Sequence, residues 1–362
     1  MTTDIGATIG VEEEYHLVDT VSGTLADAAA VADTAVELLG ESAQREISTS
    51  QLEVVTPVCS SLGQVRDEIV RLRRGAAAAA GAHGCSFLAA GTHPRAGWRE
   101  QRLTDGERYA HLVDRWGLLA RQQLITGQHV HVAVPEDHVV RVLDRLRPDL
   151  PLLLAMTASS PFWEGEDTGY ASYRTVWFSR WPVTGTLPLL GSRGAYDGLV
   201  SGLVAAGVAD DASHLYWDAR PSLRFPTVEV RVADTSPLVD DAVLHAALVR
   251  ALVRTAAVDT EPLPTPMAEV VRAARWRAAR HGMTGTLLDL RTEKLVPAGQ
   301  ALRDLLQRVE PDLRETGDLE EVTALAEDLL ARSTSAERQR AVASRSGIDA
   351  VVGHLVEESA PR

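Results

Sequence analysis

Four segments of the sequence alternate between apolar and polar residues, and this alternation constrains the fold more than any other feature. They lie at 8–18, 50–55, 128–134 and 227–233. Because successive side chains of a β-strand point to opposite faces of its sheet, each segment predicts a strand with one apolar and one polar face. The apolar faces would pack on helices. The chain is therefore expected to build a sheet that is backed by helices on one side.

The polar faces of these strands carry titratable and charged side chains. If the strands share one sheet, those side chains converge on a concave surface that carries Glu12, Glu14, Glu53, His129, His131, Glu229 and Arg231. Glu13 falls on the apolar face and is excluded from this set. Several carboxylates so close together repel one another unless cations lie between them. A carboxylate-rich set with an imidazole suits Mg²⁺ or Mn²⁺ and not structural zinc.

Each strand taken alone has an ordinary explanation. A Glu-x-Glu strand is usually a solvated face, a His-x-His pair is common on surfaces, and Glu–Val–Arg is most often a surface ion pair. The coincidence of four strands whose polar residues are in register favours a shared site.

Arginines supply a second signal. Arg220 lies just before the fourth strand, Arg231 lies on it, and Arg174 lies in the loop region 160–193, which is rich in Gly, Pro, Trp and Tyr. Arginine offers forked donors to phosphate and carboxylate oxygens. Arg220 and Arg231 flank Glu229, a candidate metal ligand, so they could donate to a phosphate that binds there. The arginines of the helix expected at 268–281 are typical of a solvated face.

The remaining pattern alternates helices with short strands. Helices are expected at 26–39, 62–82, 105–122, 136–146, 150–159, 195–206 and 240–257, with short strands at 85–90, 173–178 and 215–218. After the proline-rich stretch 260–266, the pattern predicts helix throughout to residue 357. We expect one domain over 1–362, with a catalytic sheet and its helices at 1–259 and a helical C-terminal part at 260–362.

Composition excludes several classes of function. The net charge of −14 disfavours binding to nucleic acid and to anionic membranes. The most apolar later stretch, 242–258, is interrupted by Arg250 and Arg254 and cannot span a membrane. Cys59 and Cys85 form no CxxC pair, and the N-terminus lacks a signal-peptide pattern, so we expect a cytoplasmic protein with reduced thiols.

Five motifs, in order along the chain, resemble the glutamate–cysteine ligase type 2 family, also called YbdK-type carboxylate–amine ligases. They are GVEEEYHLVD, SQLEVVTP, GQHVHVAVP, DTGYASYR and WDARPSLRFPTVEVRVADT, within residues 9–289. The resemblance implies a glutamine synthetase-like α+β fold. In that fold a curved antiparallel sheet is backed by helices, and ATP and divalent metals lie on its concave face.

The resemblance also implies roles for individual residues. Metal-binding roles fall to Glu12, Glu14, Glu53, His129 and Glu229, an ATP-side role to His131, and catalytic roles toward phosphate or the acyl phosphate to Arg220, Arg231 and Arg174. Arg231 is also expected to contact ATP. The implied activity joins a small carboxylate to an amine, both of them amino acids, with ATP and Mg²⁺ or Mn²⁺, and glutamate plus cysteine is the family default. A homo-oligomer is also implied.

Three alternatives remain open at this point. A metal-dependent hydrolase would use His129 and His131 as zinc ligands, although the excess of carboxylates argues against it. A guanidino kinase-like phosphotransferase would stop at phosphoryl transfer. A non-catalytic binding protein could retain the fold, but the intact set of carboxylates and arginines disfavours it.

Overall fold

The structure, a computed structural model, describes residues 5–361 apart from the side chain of Arg108. Helices and strands alternate along the chain. The strands are β1 Ile9–Asp19, β2 Ala43–Arg45, β3 Gln51–Val55, β4 Cys85–Leu88, β5 Gly127–Ala133, β6 Phe162–Trp163, β7 Glu166–Asp167, β8 Thr184–Gly185, β9 Tyr216–Trp217, β10 Ala219–Pro221, β11 Thr227–Asp234, β12 Thr286–Asp289 and β13 Lys294–Pro297. The helices are α1 Ala29–Leu39, α2 Leu62–Gly81, α3 Glu107–Trp116, α4 Leu118–Arg121, α5 Val139–Leu146, α6 Leu150–Met156, α7 Tyr173–Phe178, α8 Arg193–Ala205, α9 Val239–Val258, α10 Ala268–His281, α11 Ala298–Thr316, α12 Leu319–Arg332, α13 Ser335–Ser346 and α14 Asp349–Ser359.

The four alternating segments form one antiparallel sheet, as predicted. Its strand order is β10-β11-β5-β1-β3-β2, and β4 also pairs with β1. The polar residues face one another across the strands in the pairs Glu12–His129, Glu14–Glu53, Glu229–His131 and Arg220–Glu229. Residues directly opposite in neighbouring strands share a face of the sheet. The predicted α+β fold with an antiparallel sheet is therefore confirmed.

The other face of the sheet is covered by helices. Val130 and Val132 of β5 and Val228 and Val230 of β11 are fully buried in one large apolar cluster that also contains residues of α5, α6 and α9. Helix α9 is buried along most of its length. Burying the valines stabilises the fold by about 1.5–3 kcal/mol for each side chain. This packing holds the register that places the polar residues on the opposite face.

A buried ion pair joins the sheet to helix α2 on the apolar side. Arg73 of α2 is fully buried, and its Nε and Nη2 donate to the two carboxylate oxygens of Glu13 at 3.0 and 2.6 Å. The Tyr15 hydroxyl donates to the same carboxylate at 2.7 Å. Arg73 also donates to the carbonyl oxygens of Ser236 and Pro237, which connect β11 to α9. Glu13 therefore faces away from the polar surface, as predicted.

Two predicted elements were wrong. Residues 173–178 form helix α7 and not a strand, because the side chain of Ser172 accepts a hydrogen bond from the N–H of Thr175 and caps the helix start. The C-terminal part is not helical throughout, because β12 and β13 form a hairpin. The Asp289 side chain stabilises the turn between β12 and β13 by accepting hydrogen bonds from the N–H of Arg291 and the hydroxyl of Thr292.

The C-terminal helices share the main apolar core. Leu302, Leu305 and Val309 of α11 lie in the same buried cluster as the valines of β5 and β11. The division of one domain near residue 260 stays a prediction. Among residues 5–361, no helix is both long and apolar enough to cross a membrane.

Candidate active site

The polar face of the sheet holds two groups of side chains, and the first combines carboxylates with imidazoles. This acid–histidine cluster consists of Glu12, His129, His131 and Glu229. Glu12 bridges the imidazoles, with its Oε2 2.9 Å from His129 Nδ1 and its Oε1 3.1 Å from His131 Nε2. His131 Nδ1 lies 3.1 Å from the hydroxyl of Thr227, which orients the ring so that Nε2 faces the acids.

Glu229 is held by the arginines that flank it. Arg220 Nε donates to Glu229 Oε2 at 2.8 Å, and Arg231 Nη1 donates to Oε1. Arg231 Nη1 also lies 3.4 Å from His129 Nδ1. Arg220 lies on strand β10, which the sequence pattern did not reveal, and β10 fixes it directly opposite Glu229. Both arginines therefore reach the acid–histidine cluster.

The second group, the three-carboxylate cluster, consists of Glu14, Glu53 and Glu46. Glu14 and Glu53 are paired across β1 and β3, and the charge of Glu46, just after β2, acts on both. Glu14 Oε2 accepts a hydrogen bond from the N–H of Gly127 at 2.7 Å. Sequence reasoning missed Glu46 because β2 has only three residues and was not predicted.

The two clusters differ in how readily their carboxylates ionise. Burial alone would raise the pKa values of Glu12 and Glu229, but the imidazoles at Glu12 and the arginines at Glu229 outweigh it and lower both pKa values. Burial and the charge of Glu46 raise the pKa of Glu14 to about 8 and also raise that of Glu53. The three-carboxylate cluster thus lacks enough positive charge from the protein itself.

His129 and His131 differ in their access to a cation. Burial and the charge of Arg231 lower the pKa of His129 to about 4, so the ring is neutral at pH 7. Glu12, His131 and Glu229 each offer a donor atom, and these atoms all lie within 4.8 Å of one another. The geometry therefore places His131, predicted on the ATP side, in this cation-sized group, while His129 bonds to Glu12.

Arg174 lies at the edge of this surface. It is buried on α7, and its Nη2 and Nη1 lie 3.3 and 3.5 Å from the carbonyl oxygens of Arg231 and Val232. A Cβ at Gly127 would lie 2.2 Å from Arg174 Nη2, which explains the glycine that begins GQHVH. Arg174 thus supports the backbone of β11 and does not contact the acid–histidine cluster.

Comparison with known proteins places the chain in a family. A family model described as glutamate–cysteine ligase family 2 (GCS2) matches residues 8–354. A relative from Frankia alni, provisionally named glutamate–cysteine ligase 2-2, is 43% identical over 385 residues, which cover 99% of this chain and 98% of the relative. A relative from Salinispora arenicola, provisionally named glutamate–cysteine ligase 2, is 41% identical over 361 residues, which cover 98% and 95%.

Solved structures agree in fold. The glutamate–cysteine ligase of Francisella tularensis, in complex with AMP, matches with a TM-score of 0.70 at 14% identity and covers 99% of this chain and 90% of that one. A bifunctional glutathione synthetase from Pasteurella multocida matches with a TM-score of 0.71 at 15% identity, over 99% and 53% of the two chains. The chain therefore belongs to glutamate–cysteine ligase family 2 and is an ATP-dependent carboxylate–amine ligase.

Proposed function

We propose that the enzyme uses ATP and Mg²⁺ to convert an amino-acid carboxylate into an acyl phosphate, which an amine then attacks to form an amide. The names of the relatives favour glutamate as the acid and cysteine as the amine. The observation that supports the proposal best is the juxtaposition of two carboxylate clusters with Arg220 and Arg231 on one face of the sheet.

The residues present fit divalent cations. The acid–histidine cluster offers carboxylate and imidazole donors at cation spacing, and the three-carboxylate cluster carries acids whose mutual repulsion a cation would relieve. We assign one Mg²⁺ to Glu12, His131 and Glu229, with His129 orienting Glu12. A second is assigned to Glu14, Glu46 and Glu53. Bound Mg²⁺ would neutralise the charge of the nucleotide phosphates.

The arginines would act on the transferring phosphoryl group. The substrate carboxylate oxygen attacks the γ-phosphorus of ATP, and the bond to ADP breaks. In the structure, Arg231 and Arg220 both donate to Glu229. Their forked guanidinium donors would bind the phosphoryl oxygens as negative charge develops on them in the transition state. The amine nitrogen then attacks the acyl carbon, loses a proton, and phosphate leaves with one oxygen of the original carboxylate.

Isotope transfer tests this pathway. With a substrate labelled with ¹⁸O in its carboxylate, we expect one labelled oxygen in the released phosphate for each amide formed. Unlabelled phosphate alongside amide product would refute the acyl phosphate. ATP-independent hydrolysis would instead support the metal hydrolase, and stable phosphorylation of a guanidino compound would support the phosphotransferase.

Proton release should accompany Mg²⁺ binding. Glu14 and Glu53 hold protons in the folded, metal-free protein at pH values where the unfolded chain, with a pKa of 4.5, has lost them. The unfolding free energy without metal therefore falls as pH rises from about 4.5 to about 8. Mg²⁺ replaces these protons, so its stabilising effect should increase between pH 6 and pH 8, by on the order of 1–2 kcal/mol.

Thermal melts with and without saturating Mg²⁺ would measure this effect. Glu53→Gln should abolish Mg²⁺-dependent ATP cleavage, keep the fold, and lose the part of the pH dependence that Glu53 contributes, while Glu14 retains its own part. Glu310→Gln serves as the control and should behave like the wild type, because Glu310 is a half-buried residue of α11 that pairs with Arg314, outside both carboxylate clusters. An effect of Mg²⁺ that does not change with pH would remove the three-carboxylate cluster from the metal site.

The proposal also includes a cytoplasmic location and a homo-oligomeric assembly. Cys59 and Cys85 are both free thiols, which suits the reducing cytoplasm. A homo-oligomer stays a prediction.

A further inference from the structure

A separate cavity lies on the far side of helix α7 from the carboxylate clusters. It has a volume of about 520 Å³ and lies between α7, the segment 184–188 and helix α10. Arg174 projects toward β11, whereas Thr175, Val176 and Ser179 line the cavity. With 3.6 residues per turn, Val176 lies about 160° around α7 from Arg174 and Thr175 about 100°, so both point away from Arg174, and Ser179 follows the end of the helix. The volume falls within the range of small-molecule sites.

The cavity contains a buried guanidinium that the protein only partly satisfies. Arg147, just after α5, is 6% exposed and lines the cavity. Its Nε donates to the carbonyl oxygen of Leu187 at 2.9 Å. Within residues 5–361, neither Nη atom makes a hydrogen bond or an ion pair. Asp144, the acid whose charge favours the ionised form, accepts instead from the N–H groups of Leu190 and Gly191.

The charges around the cavity favour an anion. Its lining includes Arg147, Arg272 and Arg275, and no carboxylate of the described residues lines it. Arg275 is neutralised by both oxygens of Asp218, at 2.8 and 3.0 Å. Among the described residues, Arg272 makes only an exposed contact with Glu269 at 3.7 Å. Both Nη atoms of Arg147 remain open to the cavity, so an anionic ligand would replace solvent as the partner of this guanidinium.

The rest of the lining would hold an apolar body. Trp276, which is 49% exposed, donates from its Nε1 to the Tyr170 hydroxyl at 3.2 Å, and the two form one wall. Val271 and Leu187 add aliphatic surface. Aromatic walls with a few polar groups are typical of sites for small organic molecules.

We propose that this cavity binds a small organic carboxylate with an apolar or aromatic body, whose carboxylate pairs with Arg147. The inference does not depend on the proposed function, because it uses none of the residues of the two carboxylate clusters.

Fluorine NMR with 4-fluorophenylacetate as the probe tests the site. We expect the wild-type protein to broaden the probe signal, and the neutral analogue 2-(4-fluorophenyl)ethanol to bind at least about tenfold more weakly. Arg147→Gln should weaken probe binding by about tenfold or more. Arg145→Gln is the matched control, because Arg145 lies two residues earlier, pairs with Asp259, and does not line the cavity.

The active-site arginines could also attract a carboxylate, so the Arg231→Gln variant separates the two locations. Binding that survives in Arg231→Gln and is lost in Arg147→Gln supports the proposal. Binding that is lost only in Arg231→Gln, that is unchanged in Arg147→Gln, or that is absent from the wild type overturns it. If Arg147→Gln fails to fold, the exposed substitutions Trp276→Ala and Arg272→Gln decide in the same way.

Discussion

Replacing Arg231 with lysine is expected to lower the rate of amine-dependent phosphate release by about 10²–10³. The guanidinium of Arg231 contacts Glu229 and lies 3.4 Å from His129, and burial leaves its Nε without a partner among the described residues. The charges of Glu229, Glu12 and Glu14 outweigh the effect of burial and raise its pKa, so it stays charged. Lysine keeps the charge but cannot offer the forked donors that two phosphoryl oxygens require.

Steady-state kinetics with saturating Mg²⁺ over a range of ATP concentrations would measure this loss. A transition-state role predicts that kcat falls while the affinity for ATP changes much less. Arg224→Lys is the matched control, since Arg224 is exposed in the turn before β11 and should retain wild-type activity. A lysine variant within threefold of the wild-type rate would remove Arg231 from the transferring phosphoryl group.

The convergence of the polar faces could be predicted because strand alternation is a local property. Glu12, Glu53, His129 and Glu229 each lie on a strand whose apolar residues must face the helices, so their own direction is determined. The resemblance of the five motifs to the family then implied a curved antiparallel sheet. The same burial requirement restricts the register between strands, because a shift by one residue would move every buried valine to the polar face of the sheet.

Features that depend on tertiary contacts could not be predicted in this way. Glu46 follows a three-residue strand whose pairing with β3 is not visible in the sequence. Helix α7 contains Tyr, Thr, Val, Trp and Phe, which favour strands, but the Ser172 cap and packing against α10 determine its conformation. Asp144 does not hydrogen-bond to Arg147, because its carboxylate accepts from the N–H groups of Leu190 and Gly191. Only the fold determines this direction of the Asp144 side chain.

The Arg73–Glu13 pair predicts the largest loss of stability. Replacing Arg73 with methionine should lower the free energy of unfolding by about 3–5 kcal/mol, because the buried Glu13 carboxylate would lose its charged partner. The carbonyl oxygens of Ser236 and Pro237 would lose their donor as well. Urea denaturation measures the change. Arg71→Met on the exposed face of α2 is the control and should stay within about 0.5 kcal/mol of the wild type.

A double substitution separates the charge from the packing. In Arg73→Met with Glu13→Leu, no buried charge is left without a partner, so most of the lost stability should return. Activity need not return with it. Arg73 ties α2 to the segment after β11, where the Thr235 hydroxyl donates to the carbonyl oxygen of Glu14. We therefore expect a double variant that is stable but has a weakened affinity for Mg²⁺, as measured by ATP cleavage at limiting Mg²⁺. Wild-type stability in Arg73→Met alone would refute the importance of the pair.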